Sequence, residues 1–268
     1  MIIHNFDPVL IDLGFFQLRW YSIAYILGII LGWIYANKII KKTINKNDSY
    51  SVKQKDLDDL IVYIILGIII GGRLGYIIFY NYNYYIQNPY EILQVWKGGM
   101  SFHGGLLGVV ASILFFSRIK NINFFSLADV ISCVAPIGLF LGRIANFING
   151  ELYGKISELP WSVVFPNVDN MARHPSQIYE AILEGILLFI LLNYLVLKKN
   201  MLLKTGYISS IFLIFYSIFR ILSESFREPD SHLGYFFNYL SMGTILSLIT
   251  FISGCIIIIF IKKNEQNN

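Results

Sequence analysis

Charge is scarce in this chain. Only 14% of its 268 residues are Asp, Glu, Lys or Arg, 56% are hydrophobic, and the mean hydropathy is +0.59. So thin a polar complement excludes a compact water-soluble globule. Cysteine is nearly absent too. Cys133 and Cys255 have neither a CxxC spacing nor neighbouring histidines, which leaves them as small apolar packing residues. No clustered carboxylate or His/Cys ligand set is visible, so the chemistry calls for no metal and no cofactor. The segment Met1 to Arg19 lacks a basic stretch and a small-residue cleavage site. It therefore reads as a mature outer segment able to lie along the membrane interface, not as a signal peptide. The net charge of +4 resides mostly in loops, where anionic lipid headgroups match it; nucleic acid is not implied. GGRLGY from Gly71 and LGRIAN from Leu141 look alike, but a shared glycine-arginine pair is too little for an internal repeat.

Long apolar runs are what the chain has instead. Seven stretches are long enough to cross a bilayer: Tyr21 to Ala36, Leu60 to Tyr80, Met100 to Phe116, Ala128 to Ile148, Ile178 to Leu197, Gly206 to Leu222 and Leu240 to Ile261. The expected fold is an all-α integral membrane protein, a single transmembrane domain over residues 1–268 with a small outer cap at 150–175. Most of the twenty-one Lys and Arg residues fall on one set of loops, including Lys38, Lys41, Lys42, Lys46, Lys53, Lys55, Arg118, Lys120, Lys198, Lys199, Lys204, Lys262 and Lys263. By the positive-inside rule that side is cytoplasmic, the N-terminus is outside and the C-terminus inside. The longer connections are a lysine-rich loop from Asn37 to Asp59, an outer loop from Asn81 to Gly99 and the outer segment from Gly150 to Pro175.

Three arginines, Arg73, Arg143 and Arg220, lie in the outward halves of spans two, four and six. Each costs about 2.5 to 3.5 kcal/mol near mid-bilayer, so three on one side need a reason. Separate snorkelling to the headgroups accounts best for Arg220 and least for Arg143. On a helix Arg143, Asn146 and Gly150 share one face, and Asn149 and Glu151 follow where the helix would end, with Gly150 and Gly154 permitting a tight turn. A second string, KGGMSFHGGLLG from Lys97 to Gly108, surrounds the start of span three with Gly98, Gly99, Gly104 and Gly105. Open backbone N–H groups there would suit an anion, and His103 in the first turn would stay neutral and able to accept a proton. In RHPSQIYEAILEG, Ser176 and Gln177 can cap or line the start of span five, while Glu180 and Glu184 form an inward stripe of countercharge for Arg73 or Arg143. In SESFREPD, Ser223 to Asp230, Arg227 lies just beyond span six with Glu224 one turn earlier; alone it would mark nothing.

These residues by themselves support an outer-leaflet site for an anionic lipid or phosphate compound. A transporter or binding protein for such a compound, or a structural membrane partner, remains open on this ground. A transporter would be expected to break helices near the midplane and to carry polar groups to both faces.

Taken in order, GGRLGY, GGMSFHGGLLG, GRIANFINGELYG, RHPSQIYEAILEG and FREPD resemble the strings of the prolipoprotein diacylglyceryl transferase family, over about Asp7 to Ile261. The resemblance implies a seven-span enzyme of the bacterial inner membrane with its site toward the outer face. Such an enzyme moves the diacylglyceryl group of phosphatidylglycerol to the lipobox cysteine thiol of a prolipoprotein and releases glycerol 1-phosphate. Carried onto matching positions, it implies essential roles for Arg143, Asn146 and Arg227, an important His103, and supporting roles for Tyr21, Asn149, Glu151 and Gly154. Arg73 joins them as a candidate substrate ligand. The segment between Gly154 and Arg173 is shorter than in many members, which bears on prolipoprotein docking.

Overall fold

The computed structural model describes residues 2–14, 17–45, 50–229 and 240–267; Met1, Lys46 and Asp230 lie outside the described residues. The chain opens with β1 (Ile2–Ile3) and a hairpin of β2 (Val9–Asp12) and β3 (Gln17–Arg19), then α1 (Trp20–Ile44) and α2 (Gln54–Tyr80). A short α3 (Tyr82–Gln87) and two 3-10 turns, Pro89–Leu93 and Val95–Lys97, lead to α4 (Phe102–Lys120) and α5 (Phe124–Asn149). After β4 (Val163–Val164) and β5 (Ala172–Arg173) come α6 (Ser176–Glu180), a π-helical stretch Ala181–Leu187 and α7 (Leu188–Lys199), which together form one span. A 3-10 turn, Met201–Leu203, precedes α8 (Tyr207–Glu224) and α9 (Met242–Asn267). Seven of these helical segments are long and apolar enough to cross a membrane, so the protein is an all-α, multi-pass membrane protein.

Helix ends depart from the apolar runs. The first helix continues past Ala36 to Ile44, and the second begins at Gln54, which shortens the expected Asn37 to Asp59 loop. Helical spacing hides Ile39, Ile40 and Thr43 while Lys38, Lys41 and Lys42 stay exposed, so an amphipathic turn extends a span whose hydropathy has already fallen. The N-terminal segment is built into a sheet: β1 pairs in parallel with β4, Ile2 opposite Val163, and β4 pairs antiparallel with β5, Val163 opposite Arg173.

The helices fall into two compact units, residues 37–128 and residues 1–36 with 129–268. In the smaller unit α2 and α4 meet along Gly67, Gly71, Gly75, Gly104 and Gly108. A methyl group at Gly75 would stand 2.7 Å from the Gly104 Cα, and one at Gly108 would overlap the Gly67 carbonyl. Ser101 caps α4, its hydroxyl accepting the Gly104 N–H at 3.2 Å, and the Gly105 N–H donates to the Ser101 carbonyl at 2.9 Å. Gly104 thus serves backbone-to-backbone packing and capping, which corrects the expectation of open N–H groups for an anion. Gly108→Ala is expected to destabilise the unit by about 3 kcal/mol, the upper end for overpacking, because backbone must move. Thermal unfolding in detergent checks it; an unchanged midpoint would contradict the contact.

In the larger unit Asp129 is fully buried and caps α8 from another helix. Its carboxylate accepts the Gly206 N–H at 2.6 Å and the Ser209 N–H at 2.7 Å. Backbone donors at the start of α8 are thereby satisfied by a buried carboxylate.

Candidate active site

Glu180 and Glu184 are 0% exposed in a membrane-spanning helix, a placement that requires partners. The π-helical stretch after Glu180 widens the turn and keeps both carboxylates inward, and Gly185 allows close approach to α5, since a methyl there would meet Phe140 Cβ at 2.7 Å. Arg143, on α5, pairs through Nε with Glu180 at 3.0 Å and through Nη2 with Glu184 at 3.0 Å. Arg220, on α8, pairs with Glu180, with Glu184 at 3.6 Å and with Glu224 at 2.8 Å. Arg227 reaches Glu180 at 3.5 Å. Three guanidinium groups are thus matched by three carboxylates. The Arg143 side chain is 14% exposed, and among the described residues its Nη1 makes no hydrogen bond. One arm of its planar fork therefore remains available to an oxyanion.

Asn146 and Asn149 both turn toward Glu151. Their amide groups donate to Glu151 Oε1 at 2.8 and 3.3 Å, and the Glu151 N–H closes the end of α5 on the Asn146 carbonyl at 3.1 Å. Gly150 takes a φ of +68°, which lets the chain reverse there. His4 holds the same helix end, its Nε2 donating to the Phe147 carbonyl at 2.7 Å. Ser176 and Gln177 tie the start of α6 to this turn through the Leu152 and Glu151 carbonyls, at 2.9 and 2.7 Å.

Gly154 sits where three backbone segments cross. Its N–H donates to the His174 carbonyl at 3.0 Å, it bridges to Arg227, and a methyl at Gly154 would stand 2.7 Å from the Phe226 carbonyl. A glycine is needed to bring the loop carrying Arg227 against the turn carrying Glu151. Arg173 reinforces the crossing, donating to the Gly154 carbonyl at 3.1 Å and pairing with Asp169 at 2.6 Å and Glu228 at 3.4 Å.

Outside the spans, hydrogen bonding to Arg173 holds the Asp169 carboxyl below its usual range, and Asp169 in turn raises Arg173. Burial, then Lys155, lowers the His174 imidazole. Both depressed groups bind more protons when unfolded, so their stabilisation is present at high pH and lost as pH falls. The loss from His174 begins below about pH 6.5 and that from Asp169 below about pH 4. Hydrogen exchange at the Gly154 and His174 amides, corrected for intrinsic rates, should accelerate from neutral to mildly acidic solution and not toward alkali. Equal protection at both would remove the effect.

Tyr21 lies in the first turn of α1, its hydroxyl 3.5 Å from that of Tyr25. Among the described residues it makes no hydrogen bond to the arginine-glutamate network. His103 is in the first turn of α4 with an exposed ring and belongs, like Arg73, to the smaller unit. Glu180 and Glu184 pair with Arg143, and the Arg73 guanidinium is taken up by backbone carbonyls of its own unit. Snorkelling is likewise corrected for Arg220: it is 8% exposed and held by three carboxylates. The signal for it lay in the i, i+4 spacing of Arg220 and Glu224, which places both on one helical face of α8.

The comparisons agree with the resemblance. The family model described as prolipoprotein diacylglyceryl transferase matches residues 8–260. A phosphatidylglycerol–prolipoprotein diacylglyceryl transferase of Rickettsia felis is 50% identical over 96% of this chain and 98% of its own length. The proteins of the same name from Rickettsia typhi and Rickettsia bellii are 51% and 48% identical, over 92% and 97% of this chain and 93% and 97% of their own lengths. With its seven spans and the intramembrane arginines of α5 and α8, this chain belongs to the prolipoprotein diacylglyceryl transferase family.

Proposed function

We propose that this protein transfers the diacylglyceryl group of phosphatidylglycerol to the lipobox cysteine thiol of prolipoproteins, with glycerol 1-phosphate as the second product. The observation that carries the site is Arg143, buried in a span yet keeping one guanidinium nitrogen unpaired among the described residues.

Sulfur attacks the glycerol carbon that carries the phosphate; the C–S bond forms, the C–O bond breaks, and its electron pair leaves with the phosphate monoester. Charge on that phosphate rises from about one negative unit toward two, so a fixed guanidinium binds the transition state more tightly than the substrate. Arg143 is the main clamp, with Arg227 supporting it. Arg220, engaged with Glu180, Glu184 and Glu224, shares the negative charge of the two carboxylates that also hold Arg143. Asn146, Asn149 and Glu151 orient the headgroup glycerol or the lipobox backbone, Gly154 holds Arg227 in place, and Tyr21 lines the approach. The thiol, with an ordinary pKa of about 8.5, needs a base. His103 is proposed for that step, and a His103→Asn variant with the parent's rate from about pH 6 to 9 would remove it.

Purified protein with phosphatidylglycerol and a lipobox peptide should give a thioether-linked diacylglyceryl peptide; a Cys→Ser peptide should give none. Product from the serine peptide, or none from the cysteine peptide, overturns the reading. The distribution of Lys and Arg supports a plasma-membrane orientation with the 150–175 segment outside. A cysteine at Leu159, which is 41% exposed, should react with an impermeant thiol reagent in spheroplasts. Protection there would reverse the orientation.

A further inference from the structure

Arg73 is 3% exposed in a membrane-spanning helix, and the structure gives it a task separate from phosphate binding. A guanidinium has five N–H donors. Nε donates to the Ile92 carbonyl at 2.9 Å, Nη1 to Gly98 at 2.5 Å and Gly99 at 3.3 Å, and Nη2 to Glu91 at 2.5 Å and Gln94 at 3.3 Å. Five donors thus meet five main-chain carbonyls, all from the segment between α2 and α4. The guanidinium carbon also lies 5.0 Å from the Tyr85 ring centroid. These carbonyls belong to the first 3-10 turn, to Gln94 between the two turns and to the glycines after the second; the Glu91 carbonyl also accepts the Gln94 N–H at 3.1 Å, using its second lone pair for Arg73. Gly98 and Gly99 have φ of +82° and +75°, and a methyl at Gly99 would meet the Tyr76 ring at 2.6 Å and Arg73 Nη1 at 3.1 Å. Glycine is therefore required to bring those two oxygens to the cation.

Most of the large apolar side chains of this segment face outward. Tyr90 is 87% exposed, Leu93 78%, Trp96 77% and Ile86 61%. Both of its ends run directly into bilayer-spanning helices, so it must sit at the level where hydrocarbon gives way to headgroups. Tyr and Trp are the residues that suit this zone, presenting an apolar ring and a polar edge together. We infer that Arg73 is a positioning residue that folds the segment from Tyr82 to Gly99 into an aromatic ledge seated in the headgroup zone of the bilayer. The cation acts through the loop, and its five donors are spent there. The inference is independent of the transferase reading.

A nitroxide reports this directly. It is attached to full-length protein at Trp96→Cys, with Cys133→Ala and Cys255→Ala, in vesicles of phosphatidylethanolamine and phosphatidylglycerol. Collision with dissolved oxygen, relative to a water-soluble nickel chelate, should be several-fold higher than for the same label at Leu159→Cys. Arg73→Lys concentrates three donors at one point and cannot span five carbonyls, so the label should become more mobile and its collision ratio should fall toward that of the control. Gly99→Ala keeps the cation but disrupts its cradle and should do the same; it also serves if Arg73→Lys fails to fold. A label at position 96 as aqueous as the control overturns the ledge. An unchanged spectrum in both variants, with transfer lost in Arg73→Lys alone, would place Arg73 on substrate and overturn the positioning role.

Discussion

Arg143→Lys is expected to slow diacylglyceryl transfer by about 10²- to 10³-fold at saturating phosphatidylglycerol, the range for removing one preorganised transition-state donor. Lysine keeps a positive charge beside Glu180 and Glu184, so the buried carboxylates retain a countercharge and the protein should remain folded. What is lost is the fork: two nitrogens engage Glu180 and Glu184 while the third stays available. An ammonium is a single point and cannot do both. Initial rates of thioether formation by purified variant and parent decide it. A rate within about threefold of the parent would mean that Arg143 does not meet the leaving phosphate.

The second large effect concerns folding. Arg220→Met removes the cation shared by Glu180, Glu184 and Glu224 while roughly preserving side-chain length. Breaking a buried ion pair from one side costs about 3–5 kcal/mol, because the abandoned carboxylates cannot recover their water. That is a large share of the stability of an ordinary domain. Adding Glu180→Gln to Arg220→Met should restore part of the loss, since the double variant again matches two guanidinium groups, Arg143 and Arg227, with two carboxylates, Glu184 and Glu224. A thermodynamic cycle over the parent, both singles and the double measures the coupling by unfolding in detergent. Strict additivity, or a single Arg220→Met variant as stable as the parent, would dissolve the network as a structural unit.

The seven spans are legible in the sequence because bilayer thickness sets a length that few soluble helices need to meet. Helix ends are less legible. The turns carrying Ile39 and Leu57 are amphipathic, so mean hydropathy falls before the helix stops. The arginines marked a polar interior, but their partners could not be assigned from spacing. Arg73 and Arg143 each follow a glycine in the outward half of a span, yet one is saturated by the carbonyls of a folded loop and the other is held through two of its three nitrogens by carboxylates of a neighbouring span. Glycine was the most ambiguous residue. A Gly-Gly pair at a helix start suits an anion and suits close packing equally well, and only the proximity of Gly67 and Gly71 to Gly108 and Gly104 distinguishes the two.

The crossing at Gly154 also governs how the sequence can change. Lys155 and His174 are clasped by paired main-chain bonds, Gly154 N–H to the His174 carbonyl at 3.0 Å and His174 N–H to the Lys155 carbonyl at 2.9 Å. Whatever lies between them is a closed loop whose two feet are already fixed, and lengthening such a loop costs little entropy. Its exposed stretch around Glu158 and Pro160 is therefore a port for extra sequence, such as an epitope or a recognition module, that leaves the arginines where they are.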